Sequence, residues 1–191
     1  MPPVVPDDSN PTDITPEEFE LEVKRILEAL GHRLESFVAE HDAKLSAPDG
    51  SYQIDVAARF RALGVSFVVL VECKHQRRAI EREQVQVLAD KVRLLNAQKG
   101  ILFATVGFQR GAIEYARANG IALIRVVPGE LMYETRGTGV KAKPPPWVHL
   151  PKWIGLLTAE IDARRISMSF VSGEDTDALR NALFANAESN P

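Results

Sequence analysis

The sequence has little cysteine, few aromatic residues and no long hydrophobic run. The single cysteine, Cys73, excludes an internal disulfide and is typical of a reducing compartment, so we expect a cytoplasmic protein. No stretch reaches the roughly 18 apolar residues of a membrane span, and the first residues are unlike a signal peptide. The sequence therefore predicts no membrane partner. A net charge of −3 argues against a globally basic nucleic-acid binder but leaves a local basic patch open.

The composition nevertheless supports a real core, since 45% of the 191 residues are hydrophobic. Residues 1–13, rich in Pro and Asp, are predicted to form a flexible N-terminal arm. Residues 14–127 contain the strong helix and strand patterns and are predicted to form the main domain. Residues 128–191 are predicted to be a linker and C-terminal extension, where a homodimer contact or a partner protein could dock. Its expected parts are an extended linker at 141–147, an edge strand at 166–171 and a terminal helix at 175–187.

The most informative stretch is residues 53–74, where two β-rich runs flank a turn-prone segment around Gly64. In an antiparallel hairpin centred there, Asp55 lies opposite Glu72. Lys74, two residues further on, points to the same face as Glu72. Charges at the end of an apolar strand are costly unless they are paired or bind something. Two carboxylates beside an ammonium predict a site for a hard divalent cation, with a surface salt-bridge cluster as the alternative.

The elements before this hairpin have clear end signals. A helix is predicted from Pro16, with Thr15 as N-cap and Glu18 completing a capping box, to Leu30, with Gly31 as its C′ residue. A first strand is predicted at residues 34–42, followed by a mobile loop that contains Ser46, Pro48, Asp49 and Gly50 and leads into the hairpin. His41 and Asp42, near the end of that strand, are interpreted as surface residues, with a catalytic role as the alternative.

After the hairpin the pattern alternates between helices and strands. Helices are expected at residues 81–97 and up to about Asn119, and apolar strands follow each of them, from Lys99 and from Ile121. A strand, a helix and a strand of this length favour a right-handed parallel crossover.

Ile54-Asp55 followed by Glu72-Cys73-Lys74 resembles the motif of the PD-(D/E)xK nucleases. The surrounding segments FE, YQIDV, VLVECKH, KGILFATVGF and AIEYARANGIALI are similar to the Mrr-like restriction endonucleases, over about residues 15–127. The resemblance implies an α/β fold: a restriction-endonuclease-like αβββαβ core with a mixed central sheet flanked by helices. It also implies a metal-dependent endonuclease that hydrolyses double-stranded DNA, with Mg²⁺ as cofactor and Mn²⁺ able to substitute. The implied role is restriction or defence against foreign DNA, with repair or junction processing as the alternative.

The resemblance further implies roles for individual residues. Asp55, Glu72 and the backbone carbonyl of Cys73 would bind the metal, and Lys74 would hold the attacking water and offset charge on the phosphate. Glu20, next to Phe19 in the first helix, would contribute to the same site, with a solvated helix acid as the alternative. The Cys73 side chain is interpreted as a small core residue rather than a nucleophile. The number of metal ions stays open.

A local excess of basic residues follows the site between residues 74 and 99. It is predicted to hold DNA phosphates, with an ordinary charged helix face as the alternative. The candidate DNA-binding residues are Arg77, Arg78, Arg82 and Gln84. The competing function is a catalytically weak or inactive nuclease-fold module for DNA binding or assembly with a partner, because a fold does not fix a function.

Overall fold

The computed structural model describes residues 14–128, 153–162 and 165–171. The predicted arm at 1–13, linker at 141–147 and terminal helix at 175–187 lie outside the described residues. The described elements are, in chain order, α1 (Pro16–Gly31), β1 (Glu35–Ala47), β2 (Gly50–Ala62), β3 (Val65–Lys74), α2 (Arg82–Leu94), β4 (Lys99–Ala104), α3 (Arg110–Ala118), β5 (Ile121–Pro128), β6 (Trp153–Asp162) and β7 (Arg165–Val171).

The described strands form one sheet in which every strand lies beside its neighbours in sequence, from β1 to β7. β1, β2 and β3 are antiparallel, β3, β4 and β5 are parallel, and β6 and β7 continue the sheet in antiparallel fashion. The predicted α/β fold, with its αβββαβ core and mixed sheet, is confirmed. The strand predicted at 166–171 is present as β7 at one edge of the described sheet. The domain boundary at 127 stays a prediction, and the sheet continues beyond it.

Apolar residues cover both faces of the sheet. One face packs against α1 through Phe19, Val23 and Leu27, and the other against α2 and α3 through residues such as Leu88 and Ile113. Central strands buried on both faces read as continuous apolar runs, which is why β4 is apolar at nearly every position. The sheet is therefore a rigid support on which the ends of β2 and β3 are fixed.

Helix α1 begins as its sequence predicts, but it ends for a different reason. The Thr15 backbone N–H donates to the Glu18 carboxylate at 2.7 Å, and the Glu18 N–H donates to Thr15 Oγ1 at 3.2 Å, which is a capping box. Gly31 is the last helical residue rather than a left-handed C′ residue. A Cβ there would lie 2.5 Å from the Phe37 ring, so glycine is needed for close packing.

The prediction for the first strand was wrong in length. β1 runs from Glu35 to Ala47, and only a tight turn at residues 48–49 separates it from β2. The predicted loop is therefore shorter than expected: Ser46 pairs with Ser51 of β2, and before it Ala43 lies opposite Ile54 and Leu45 opposite Tyr52. The alternating apolar residues Ala43 and Leu45 indicate this strand, and the turn residues Asp49-Gly50 mark only its end.

The predicted register of the β2–β3 hairpin is confirmed. Ala62 pairs with Val65 and, at the other end of the ladder, Val56 pairs with Val71. The next position places Asp55 opposite Glu72. The turn is made by Leu63 and Gly64, whose φ angles of 53° and 77° are both positive, as a type I′ turn requires.

The Leu63 position leads to a stability prediction. Leu63 is fully exposed and left-handed, so it contributes no packing and strains a residue with a Cβ. Leu63→Asn is expected to raise the free energy of unfolding by about 0.5–1 kcal/mol, because Asn tolerates this conformation. Gly64→Ala is expected to lower it by about 1 kcal/mol. Urea denaturation measures both, and changes of the same sign in the two variants would contradict the turn argument.

Candidate active site

The site forms where β2 and β3 part at the open end of their hairpin. The backbone ladder ends at Val56 and Val71, and the Cys73 N–H then donates to Asp55 Oδ2 at 2.7 Å. The carbonyl of Lys74 accepts from the Thr105 N–H on the β4 side. Because successive carbonyls of a strand point to opposite sides, the Cys73 carbonyl faces the β2 side, toward Asp55. A side-chain oxygen and a backbone oxygen therefore converge in the gap between the two strands.

Glu72 is the most buried charged residue of this region, with a side chain that is only 11% exposed. Lys74 Nζ donates to Glu72 Oε1 at 2.7 Å, and Lys91 Nζ, from α2, donates to Glu72 Oε2 at 2.9 Å. Both oxygens of one carboxylate are thus held by ammonium groups. This arrangement compensates the charge of Glu72 and fixes its orientation at the strand end.

The electrostatic environment shifts the pKa values of the two opposed acids in opposite directions. Burial and the neighbouring Glu72 raise the pKa of Asp55, and Glu20 adds to this shift. Burial also acts to raise the pKa of Glu72, but the hydrogen bonds and charges of Lys74 and Lys91 outweigh it, so that pKa is lowered. Burial acts to lower the pKa of Lys74, yet its contact with Glu72 raises it overall. Lys74 therefore stays an ammonium at neutral pH and cannot act as a base there.

Glu20 is placed beside the site by α1. Its Oε2 lies 2.8 Å from His41 Nε2 of β1, and its charge is close enough to Asp55 to raise the pKa of that carboxyl. Since α1 packs on one sheet face and α2 on the other, Glu20 and Lys91 approach the strand ends from opposite sides. The prediction that the first strand ends near His41 was wrong, since His41 lies inside β1, where it is half-buried and contacts Glu20.

The side chain of Cys73 belongs to the core. It is buried with Phe19 and Val71 on the α1 face of the sheet. Burial raises the pKa of its thiol well above the ordinary value, and the charge of Asp55 adds to the shift. A thiol that stays protonated in an apolar environment is a poor nucleophile, as the sequence interpretation expected.

The four candidate DNA-binding residues lie in different environments. Arg77 and Arg78 are exposed in the segment directly after β3. Arg82 lies over the Tyr115 ring, with its guanidinium carbon 5.1 Å from the ring centroid, and so contacts α3. Gln84 accepts from the Glu81 N–H at 3.0 Å and donates to the Gln76 side chain, so it organises the start of α2.

The segment that carries Arg77 and Arg78 is tied down at both ends. The buried hydroxyl of Thr105 accepts from the Gln76 N–H and donates to the Gln76 carbonyl, both at 3.3 Å. At the other end the Ile80 N–H donates to the Gly107 carbonyl at 2.9 Å. Thr105 and Gly107 therefore brace this segment and hold the two arginines close to the site.

Lys91 belongs to the basic excess between residues 74 and 99, and its contact with Glu72 was not predicted from the sequence. The signal that it faces the interior was present, because Lys91 lies three residues after Leu88 and four before Leu95 on the apolar stripe of α2. His41 had a similar signal, since it is two residues from the inward-facing Ala39 on the same strand.

The oxygen groups at this site fit a divalent cation. Within residues 14–128 and the described parts of β6 and β7, no three His, Cys, Asp or Glu side chains are grouped to hold a metal. The possible donors are the carboxylates of Asp55 and Glu72, whose oxygens each keep a lone pair beside any hydrogen bond that they accept, and the carbonyl of Cys73. One or two carboxylates with bound water are the usual protein ligands of Mg²⁺, so this set suits that ion.

None of the helices in the described residues is long and apolar enough to cross a membrane.

The fold of this chain is similar to that of solved structures. Two solved structures are similar: the "Protein of Unknown Function AF1548" at 16% identity and a TM-score of 0.46, and the "DNA modification-dependent restriction endonuclease AspBHI" at 17% and 0.39. The matches cover 55% and 63% of this chain and 56% and 35% of those chains, so this chain spans less than two thirds of either. No curated protein matches the chain significantly.

The family model Mrr_cat, described as "Restriction endonuclease", matches residues 12–127, which is more than half of the chain. The chain belongs to this restriction endonuclease family.

Proposed function

We propose that this chain is a metal-dependent endonuclease that hydrolyses phosphodiester bonds of double-stranded DNA. The observation that supports it most is the opposition of Asp55 and Glu72 at the open hairpin end, with Lys74 Nζ 2.7 Å from Glu72 Oε1. Family membership supports the same substrate. Maintaining opposed acids in a partly buried place is unfavourable for folding, which is typical of a functional site.

Asp55 and Glu72 would hold Mg²⁺, with Mn²⁺ able to replace it, together with the carbonyl of Cys73. When bound, the ion supplies Lewis acidity: it polarises a phosphate oxygen and lowers the pKa of a bound water. Asp55 Oδ1 is the atom best placed to bind the ion. Among the described residues it accepts no hydrogen bond, while Oδ2 accepts one from the Cys73 N–H.

Lys74 would act on the reacting atoms directly. Its raised pKa keeps Nζ protonated, so it orients the attacking water through that water's oxygen and offsets negative charge growing on the phosphate. The contact with Glu72 fixes Nζ in place before DNA binds, which reduces the reorganisation needed in the transition state.

Glu20 would complete the acidic side of the site, held by His41. Arg77 and Arg78 would contact DNA phosphates from the braced segment, and Arg82 and Gln84 would support that surface from α2. The further proposals are a nuclease domain at 14–127, a C-terminal extension that joins a second copy or a partner, a cytoplasmic location, and a role in restriction or defence against foreign DNA.

Metal removal tests this function. Supercoiled plasmid incubated with the protein and Mg²⁺ is expected to be nicked or linearised, and EDTA is expected to abolish cleavage because the opposed carboxylates then lack their ion. Gel electrophoresis measures the products, and an RNA of similar length serves as the substrate control. DNA binding without cleavage at any Mg²⁺ or Mn²⁺ concentration would support the binding or assembly module instead, and cleavage of RNA alone would change the substrate class.

A further inference from the structure

Lys91 occupies an unusual place for a helix lysine. It lies on the sheet-facing side of α2, and its side chain is only 18% exposed. Its Nζ lies 2.9 Å from Glu72 Oε2 and 3.4 Å from the backbone carbonyl oxygen of Gln53. Burying an ammonium to this extent is unfavourable unless oxygens replace its water, and these two do so.

The two groups that accept hydrogen bonds from this ammonium are of the kind that also bind divalent cations. A carboxylate oxygen and a backbone carbonyl are hard oxygen donors of the kind that bind Mg²⁺ or Mn²⁺. Asp55 Oδ2 meets the Cys73 N–H in the gap between β2 and β3, whereas Lys91 Nζ contacts Glu72 Oε2 and the Gln53 carbonyl oxygen. The site therefore offers one position for a metal near Asp55 and a second position, beside Glu72 Oε2, that already holds a cation.

The charge balance agrees with a single metal ion. Glu20, Asp55 and Glu72 bring three negative charges, and Lys74 and Lys91 bring two positive ones, which leaves an excess of one negative charge. One divalent cation changes this net charge from one negative to one positive charge. A second ion would accumulate three positive charges in a partly buried space, where like charges repel strongly.

We propose that the Lys91 ammonium takes the place of a second catalytic cation, so that this nuclease site works with one divalent metal ion. The inference rests on the proposed metal-dependent function and specifies it. Lys91 would stabilise charge on the phosphate beside Glu72 without a metal at that position.

The test counts bound Mn²⁺ by electron paramagnetic resonance during titration of the full chain without DNA. The wild type is expected to bind one ion at the site. Lys91→Ala is expected to bind two, because the position that the ammonium fills beside Glu72 Oε2 and the Gln53 carbonyl becomes open to a cation. The matched control is Arg93→Ala, which removes an exposed cation from the same helix and is expected to keep one ion. If Lys91→Ala does not fold, Lys91→Ser is measured in its place.

The outcomes separate the inference from the proposed function. Two ions in the wild type, or a single ion in the folded Lys91 variant whatever its affinity, would overturn the role of Lys91 and leave a metal-dependent nuclease. The absence of any bound ion in the wild type would overturn the proposed function and the inference together.

Discussion

Lys74→Ala is expected to reduce the rate of plasmid cleavage by about a thousandfold, equivalent to about 4 kcal/mol of transition-state stabilisation. The variant loses the ammonium that orients the attacking water and faces the developing charge. Because Lys91 still holds Glu72 Oε2, Glu72 keeps one charged partner and the fold is expected to persist. Single-turnover kinetics with Mg²⁺ and supercoiled DNA measure the effect, and circular dichroism checks the fold.

A matched lysine on α1 gives the control for this variant. Lys24 pairs with Glu28 one turn away on α1, so Lys24→Ala removes the same charge from an ion pair that shares no residue with the proposed site. It is expected to cleave at the wild-type rate, because a surface pair of this kind contributes only about 0.5 kcal/mol to stability. A Lys74→Ala protein that is folded and cleaves as fast as Lys24→Ala would remove Lys74 from the mechanism.

Asp55→Asn is expected to reduce the rate of cleavage by about a thousandfold or more. It is also expected to stabilise the metal-free protein at pH 7. Burial and Glu72 raise the pKa of Asp55, so the folded state binds its proton more readily than the unfolded state. The cost of ionising Asp55 is therefore complete above the raised pKa and disappears as the pH falls below the ordinary carboxyl pKa. Asn is neutral at every pH, and its side-chain oxygen can still accept from the Cys73 N–H.

Thermal unfolding in EDTA measures this prediction. The Tm of Asp55→Asn is expected to exceed that of the wild type at pH 7, and the difference is expected to shrink in acid. Added Mg²⁺ is expected to raise the Tm of the wild type, by mass action on the folded state, and to leave the variant unchanged. The control is Asp90→Asn, an exposed acid paired with Arg93, which is expected to respond to Mg²⁺ as the wild type does. A variant less stable than the wild type in EDTA would contradict the argument from burial.

Local sequence patterns determined much of the fold. The capping box at Thr15 and Glu18 starts α1, and the left-handed pair Leu63 and Gly64 makes a turn whose position alone fixes the register of the β2–β3 hairpin. These features depend on residues close together in the chain, and side chains in a strand alternate with a fixed period. The opposition of Asp55 and Glu72 therefore follows from the sequence by itself.

The tertiary structure decided which distant side chains complete the site. Lys91 and His41 are ordinary charged or polar residues of a helix and a strand in the sequence. Only the packing of α2 and α1 on opposite sheet faces brings Lys91 to Glu72 and His41 to Glu20. Contacts between elements depend on the docking angle and rotation of each helix, which a pattern within one element does not encode. The hairpin thus places the acids, and the packing of the helices determines which charges surround them.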